Sequence, residues 1–151
     1  MSSTLRSCYP GIGGEHGGSR ARVLVVDDRP AHAAVLGRIL EDAGFLVIVA
    51  GDADSAVRAF QAQAPDVVLS EVFLSESSGL DLCRRLRREE RGHRAGVVMM
   101  TSAINAALPH RAMEAGADDY LQQPVTHAAL VARLRSHVAR KRLDALLERV
   151  G

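Results

Sequence analysis

The chain has 151 residues, a formal net charge of +1, 47% hydrophobic residues and 25% charged ones. That is room for one domain with a real core, and it excludes the strongly basic surface expected of a nucleic-acid groove or an anionic-membrane binder. No apolar run approaches the ~20 residues of a membrane span, no apolar leader marks the N-terminus, and Cys8 and Cys83 lack metal-ligand spacing, so a reduced, cytoplasmic protein is expected.

Residues 1–21 hold Gly11, Gly13, Gly14, Gly17 and Gly18 among several serines, with no apolar period, and predict a disordered tail. These glycines form no dinucleotide fingerprint, because no strand precedes them and their spacing is not G-x-G-x-x-G. The run from Arg22 to Val26 is the first apolar stretch, and Asp27 and Asp28 end it. Pro30 opens a helix with Val35, Leu36, Ile39 and Leu40 at helical spacing, and Gly44 stops it. A short strand over 45–50 follows. Asp52 or Asp54 then caps a helix carrying Ala56, Val57, Ala59 and Phe60.

Pro65 and Asp66 precede Val67-Val68-Leu69-Ser70-Glu71-Val72, a β-branched run that reads as a buried central strand. Such a strand does not bury a charge in its middle cheaply, so Glu71 belongs at the C-terminal end, where the sheet opens to water. In open α/β sheets that edge is where sites are built. Ser70, pointing to the opposite face, is no nucleophile.

Ser77 or Ser78 caps a third helix with Leu80, Leu82, Cys83 and Leu86 inward. Its outer face carries Arg84, Arg85, Arg87, Arg88 and Arg91, partly offset by Glu89 and Glu90, and reads as solvated. Gly96 to Thr101 is a fourth strand ending in hydroxyls. A weaker helix over 105–115 has Pro109 at its start and is closed by Gly116. Tyr120-Leu121-Gln122 is a fifth strand, Gln123-Pro124 a turn, and a long helix runs over 126–148. Past Ala139 its stripe continues through Leu143, Leu146 or Leu147, and Val150, beyond what the sheet needs, as a dimer seam or a linker to a further domain.

Strand and helix alternate five times over short connections. The expectation is an α/β fold, a doubly wound five-stranded parallel sheet in the order 2-1-3-4-5, with an extended C-terminal helix. That order gathers Asp27, Asp28, Glu71, Thr101, Ser102 and Gln123 on one edge. Three carboxylates in a cleft suit an oxygen-loving divalent cation such as Mg²⁺, and a hydroxyl beside it suits a phosphoryl oxygen. No fixed positive charge is seen opposite, so repulsion among the acids predicts a raised pKa or a bound cation.

The motifs VLVVDD, PDVVLSEV followed by Gly79, VVMMTS and EAGADDYLQQP stand in this order. Through them residues 22–139 resemble the receiver domain of bacterial two-component response regulators, leaving 140–151 as a helical extension. The resemblance implies a flavodoxin-like fold, a place in phosphorelay signalling, and no enzyme activity of the chain's own. It implies a histidine kinase or downstream effector as partner, with a homodimer through the fourth helix, fifth strand and fifth helix. By position, Asp27, Asp28, Glu71 and the Phe73 carbonyl match the Mg²⁺ ligands. Glu71 matches the phosphoacceptor, Thr101 and Tyr120 the switch residues, and Gln123 the lysine that pairs with the phosphoryl group.

Three positions depart from the family pattern: Glu71 for Asp, Gln123 for Lys, and Ser75 for Pro. Glu moves the carboxylate by roughly 1 Å, and such misplacement can cost ~10²-fold in rate. Gln123 donates without charge, and the sole lysine, Lys141, lies far along the last helix. The expectation is an atypical receiver, a pseudo-receiver, not conventionally phosphorylated and acting through protein–protein contacts. Glu71 would mimic the phosphorylated state and hold Thr101 and Tyr120 inward; no catalytic residue is expected, and Mg²⁺ is weakly held or absent. The alternative is a conventional phosphorylatable switch using Mg²⁺ and a histidine-kinase donor.

The plainer readings are a strand cap for Thr101, edge packing for Tyr120, and solvated turn acids for Asp118 and Asp119, or partners of Arg133 or Arg135 across a dimer. Neither nucleic acid nor membrane is expected as a direct partner: no helix-turn-helix segment is visible, and without Trp base stacking is poorly served. A flavin protein would want an anion-welcoming loop where Asp27-Asp28-Arg29-Pro30 stands. A haloacid-type hydrolase would space its two acids differently.

Overall fold

The computed structural model describes residues 20–150. The expected tail therefore lies almost wholly outside the described residues. Its last two positions are tied to the domain: Arg20 Nε donates to the Gly44 carbonyl at 3.2 Å, and the Ala21 carbonyl accepts the Leu46 amide at 2.9 Å.

The elements are β1 (Arg22–Val26), α1 (Pro30–Asp42), β2 (Leu46–Ala50), α2 (Ala53–Gln63), β3 (Val67–Glu71), α3 (Gly79–Arg87), β4 (Gly96–Thr101), α4 (Leu108–Glu114), β5 (Asp119–Gln122) and α5 (His127–Val150). The five strands are parallel in the order β2-β1-β3-β4-β5, as the alternation of elements predicts. Period-two alternation splits the core in two. Leu24, Val26, Val68, Val97 and Met99 pack under α2, α3 and α4. Val23, Val25, Val67, Leu69, Val98 and Met100 pack under α1 and α5. Glu71 continues the second row, so its side chain points toward the α1 side of the edge.

Local chemistry sets the boundaries. Asp52, not Asp54, caps α2, with its side chain accepting the Ser55 amide at 2.7 Å. Ser78 caps α3 by accepting the Leu80 amide at 3.0 Å. The helix α4 is shorter than its pattern, starting only at Leu108.

Three expectations are corrected. The buried face of α1 is Ala33, Leu36, Gly37 and Leu40, while Val35 is 58% exposed. Gly37 faces Val47 of β2, where a Cβ would stand in ordinary contact at 3.7 Å. Arg87 does not belong to a solvated face: its guanidinium donates to the carbonyls of Gly116 (2.8 Å), Gly92 (2.6 Å) and Ala95 (2.7 Å) and to Asp118 (2.7 Å). Asp118 and Asp119 are not solvated either. Asp118 also accepts the Val97 amide at 2.8 Å and pairs with Lys141 at 3.4 Å, and Asp119 pairs within the chain with Arg133 (2.8 Å) and His137 (2.9 Å).

Beyond residue 139, α5 continues unbroken. Arg142 reaches Asp66, and Glu148 faces His93 and Arg94, all at the sheet edge opposite Glu71. The stripe of Leu143, Leu146, Leu147 and Val150 remains exposed. Among the described residues, no helix is long and apolar enough to cross a membrane.

Candidate functional site

The C-terminal edge of the sheet brings together Asp27, at the end of β1, and Glu71, at the end of β3, both buried. Thr101, at the end of β4, is buried beside them, close enough to Glu71 to pull its carboxyl pKa down. Gly79 makes room for this edge, since a Cβ there would stand 2.2 Å from the Glu71 carbonyl oxygen. Gln123 follows β5, with its amide nitrogen on the Thr101 carbonyl at 2.8 Å.

Two side chains that sequence reasoning passed over complete the site. Arg29 precedes α1, and its backbone N–H donates to Asp27 Oδ1 at 2.9 Å. Its guanidinium then turns back over the edge. Nε lies 3.3 Å from Asp27 Oδ1, and Nη2 donates to Glu71 Oε2 at 3.1 Å. His32, in the first turn of α1, places Nδ1 against Asp27 Oδ2 and Nε2 3.2 Å from the Gln123 side-chain nitrogen. The available signal was spacing: Arg29 and His32 stand two and five residues after Asp27, where a turn into a helix folds back over the strand end.

The electrostatics follow from these contacts. Burial pushes the Glu71 carboxyl up, against the nearby Thr101 hydroxyl and the Arg29 charge, which pull it down. The neighbouring Asp27 carboxylate adds only a smaller push, so desolvation, rather than repulsion among acids, is the main cause. Burial would raise Asp27 too, yet hydrogen bonds from His32 and Arg29 outweigh it and hold this carboxyl below its ordinary value. The fixed positive charge that the sequence seemed to lack is Arg29.

The remaining expected residues are placed as follows. Asp28 accepts the Ser75 hydroxyl. Phe73 is 55% exposed and pairs with Ser78 in an isolated antiparallel bridge. Tyr120 lies against the α2–α4 core with its hydroxyl buried and without a hydrogen-bond partner among the described residues. Burial raises its pKa, and the Glu71 charge adds to that.

The three carboxylates assigned to Mg²⁺ by resemblance do not converge on an ion in this arrangement. Asp27 faces Arg29 and His32, Glu71 faces Arg29 and Thr101, and Asp28 faces Ser75. Among the described residues, no group of three or more His, Cys, Asp or Glu side chains converges to hold a metal.

The family model described as the response regulator receiver domain matches residues 23–135. The chain belongs to this family. The receiver domain is also what its similarities to known proteins cover. It is 37% identical over 121 residues to the DNA-binding response regulator MtrA of Mycolicibacterium smegmatis, covering 80% of this chain and 52% of that one. To the phosphate regulon transcriptional regulatory protein PhoB of Escherichia coli it is 34% identical, covering 79% and 52%. The chain thus spans about half the length of these curated relatives. Among solved structures, it is similar to a response regulator receiver domain protein from Clostridium thermocellum (27% identity, TM-score 0.75, covering 82% of this chain and 98% of that one). A CheY-like receiver from Methanospirillum hungatei shares the fold at 22% identity (TM-score 0.77, covering 83% and 99%). The chain is therefore a receiver domain of the two-component response regulator family.

Proposed function

We propose that this receiver domain is an atypical, pseudo-receiver member of its family, one that is not conventionally phosphorylated and signals through protein contacts. The observation that carries the reading is the engagement of Glu71. Its carboxyl is buried and held by Arg29, so the side chain standing at the acceptor position is not free to attack a phosphodonor. Gln123 supplies an amide where a charge would be needed to hold an acyl phosphate.

The same contacts support an active-like state held by Glu71. Thr101 is buried beside Glu71, and the Tyr120 hydroxyl lies inside. Mg²⁺ is weakly held or absent on this reading, and the domain carries out no catalysis of its own. Its partner is a cytoplasmic signalling protein, a histidine kinase or a downstream effector. A second copy could also dock across α4, β5 and α5. Relatives such as MtrA are named as DNA-binding, but the portion shared with them here makes protein contacts, not direct contacts to nucleic acid.

The test is intact mass after incubation with acetyl phosphate and Mg²⁺, with a Glu71→Asp variant alongside to measure what the rest of the site can do. The natural chain is expected to gain no phosphoryl adduct. An adduct mapping to Glu71 or a neighbouring acid would return the protein to the phosphorylated switches.

A further inference from the structure

We propose that Arg29 is the resident cation of this receiver's acidic edge, taking the position between Asp27 and Glu71 that a divalent ion would otherwise compete for. The inference deepens the reading above, and rests on it only in placing Glu71 as a held carboxylate.

The geometry is that of a counter-ion built into the chain. One residue reaches both buried acids: Nη2 lies 3.1 Å from Glu71 Oε2 and 3.4 Å from Asp27 Oδ2, and Nε lies 3.3 Å from Asp27 Oδ1. Its main chain is fixed by the same acid, through the 2.9 Å bond from the Arg29 amide to Asp27. The Arg29 carbonyl accepts the Ala33 amide at 2.9 Å, so this residue is locked into the start of α1. His32 closes the cluster, in contact with Asp27, with Arg29 Nη2 at 3.0 Å and with Gln123.

A planar guanidinium is weakly hydrated and matches carboxylate geometry, whereas Mg²⁺ gives up its water reluctantly and demands near-octahedral oxygen ligands. A group tethered beside its acids also competes at an effective concentration set by the short chain between them, not by the bulk supply. Arg29 thereby meets the charge that the sequence left unmatched. A divalent ion entering between Asp27 and Glu71 would have to displace it.

The test is binding of Mn²⁺, a paramagnetic stand-in for Mg²⁺, read by solvent-proton relaxation on the natural chain and on Arg29→Ala. Removing one positive charge a few ångströms from the site should tighten Mn²⁺ binding about tenfold or more. Arg29→Gln, which keeps donors but no charge, carries the same expectation should the alanine variant fail to fold. Equal Mn²⁺ affinity in the natural chain and the folded variant would overturn the proposal. A natural chain that holds no Mn²⁺ until Arg29 is removed, yet accepts a phosphoryl group, would overturn only the function proposed above. One that binds Mn²⁺ as tightly as the variant but takes no phosphoryl group would overturn only the role of Arg29.

Discussion

Arg87 meets Asp118 at 2.7 Å, at the edge of the sheet opposite Glu71, and the same guanidinium closes three backbone carbonyls. This one side chain therefore joins α3 to the loop before β4 and to the turn before β5. A Cβ on Gly116 would stand 2.9 Å from its Cγ, so the turn is shaped around it.

Arg87→Ala is expected to lower unfolding free energy by about 1–3 kcal/mol, the cost of leaving partly buried acceptors without their donor. Arg87→Lys should restore little, because an ammonium cannot satisfy the same fork of acceptors. Urea denaturation of the three proteins measures this, and a loss below about 1 kcal/mol for the alanine variant would show an exposed, weak pair.

The Tyr120 hydroxyl is buried without a hydrogen-bond partner among the described residues. A polar group left unsatisfied costs about 1–3 kcal/mol, so Tyr120→Phe should raise stability by about 1 kcal/mol. Thermal unfolding reads the change. A less stable variant would mean that the hydroxyl is paired in solution.

The acids act in opposite directions on pH dependence. Asp27, Asp118 and Asp119 are held below the ordinary value of 3.8 by their hydrogen bonds and partner charges, against burial. Their contribution is present above that value and is lost as pH falls through the lowered folded values. Glu71 is raised above 4.5, so its contribution is full below that value and is lost as pH rises through the folded one. The stability difference between Glu71→Gln and the natural chain should therefore move in the variant's favour as pH is raised from about 4 toward neutrality. Urea midpoints at a series of pH values test it, and a flat difference would remove the raised Glu71.

Much of the fold was legible because period and punctuation agreed. Buried runs, capping residues and short connections gave the strands, the helices and the sheet order. The placement of Glu71 at an open edge followed from the cost of burying a charge. The face of α1 was misread because its core residues are small: Ala33 and Gly37 do not stand out in a pattern that favours Val35 and Ile39. Arg87 stands seven residues after Leu80, on the inward repeat of α3, so its position was readable while its charge argued otherwise. Arg29 and His32 were missed because their role depends on how the chain turns from β1 into α1, which hydrophobic periodicity does not encode.

Lys141, held at 3.4 Å from Asp118 and 3.3 Å from the His93 carbonyl with only 16% of its side chain exposed, is the sole lysine of the chain. A lysine-specific protease thus has one internal bond to cut, within α5, and must wait for that helix to leave the sheet. Cleavage there becomes a label-free clock for local opening, paced by the population of the open form when reclosing is fast.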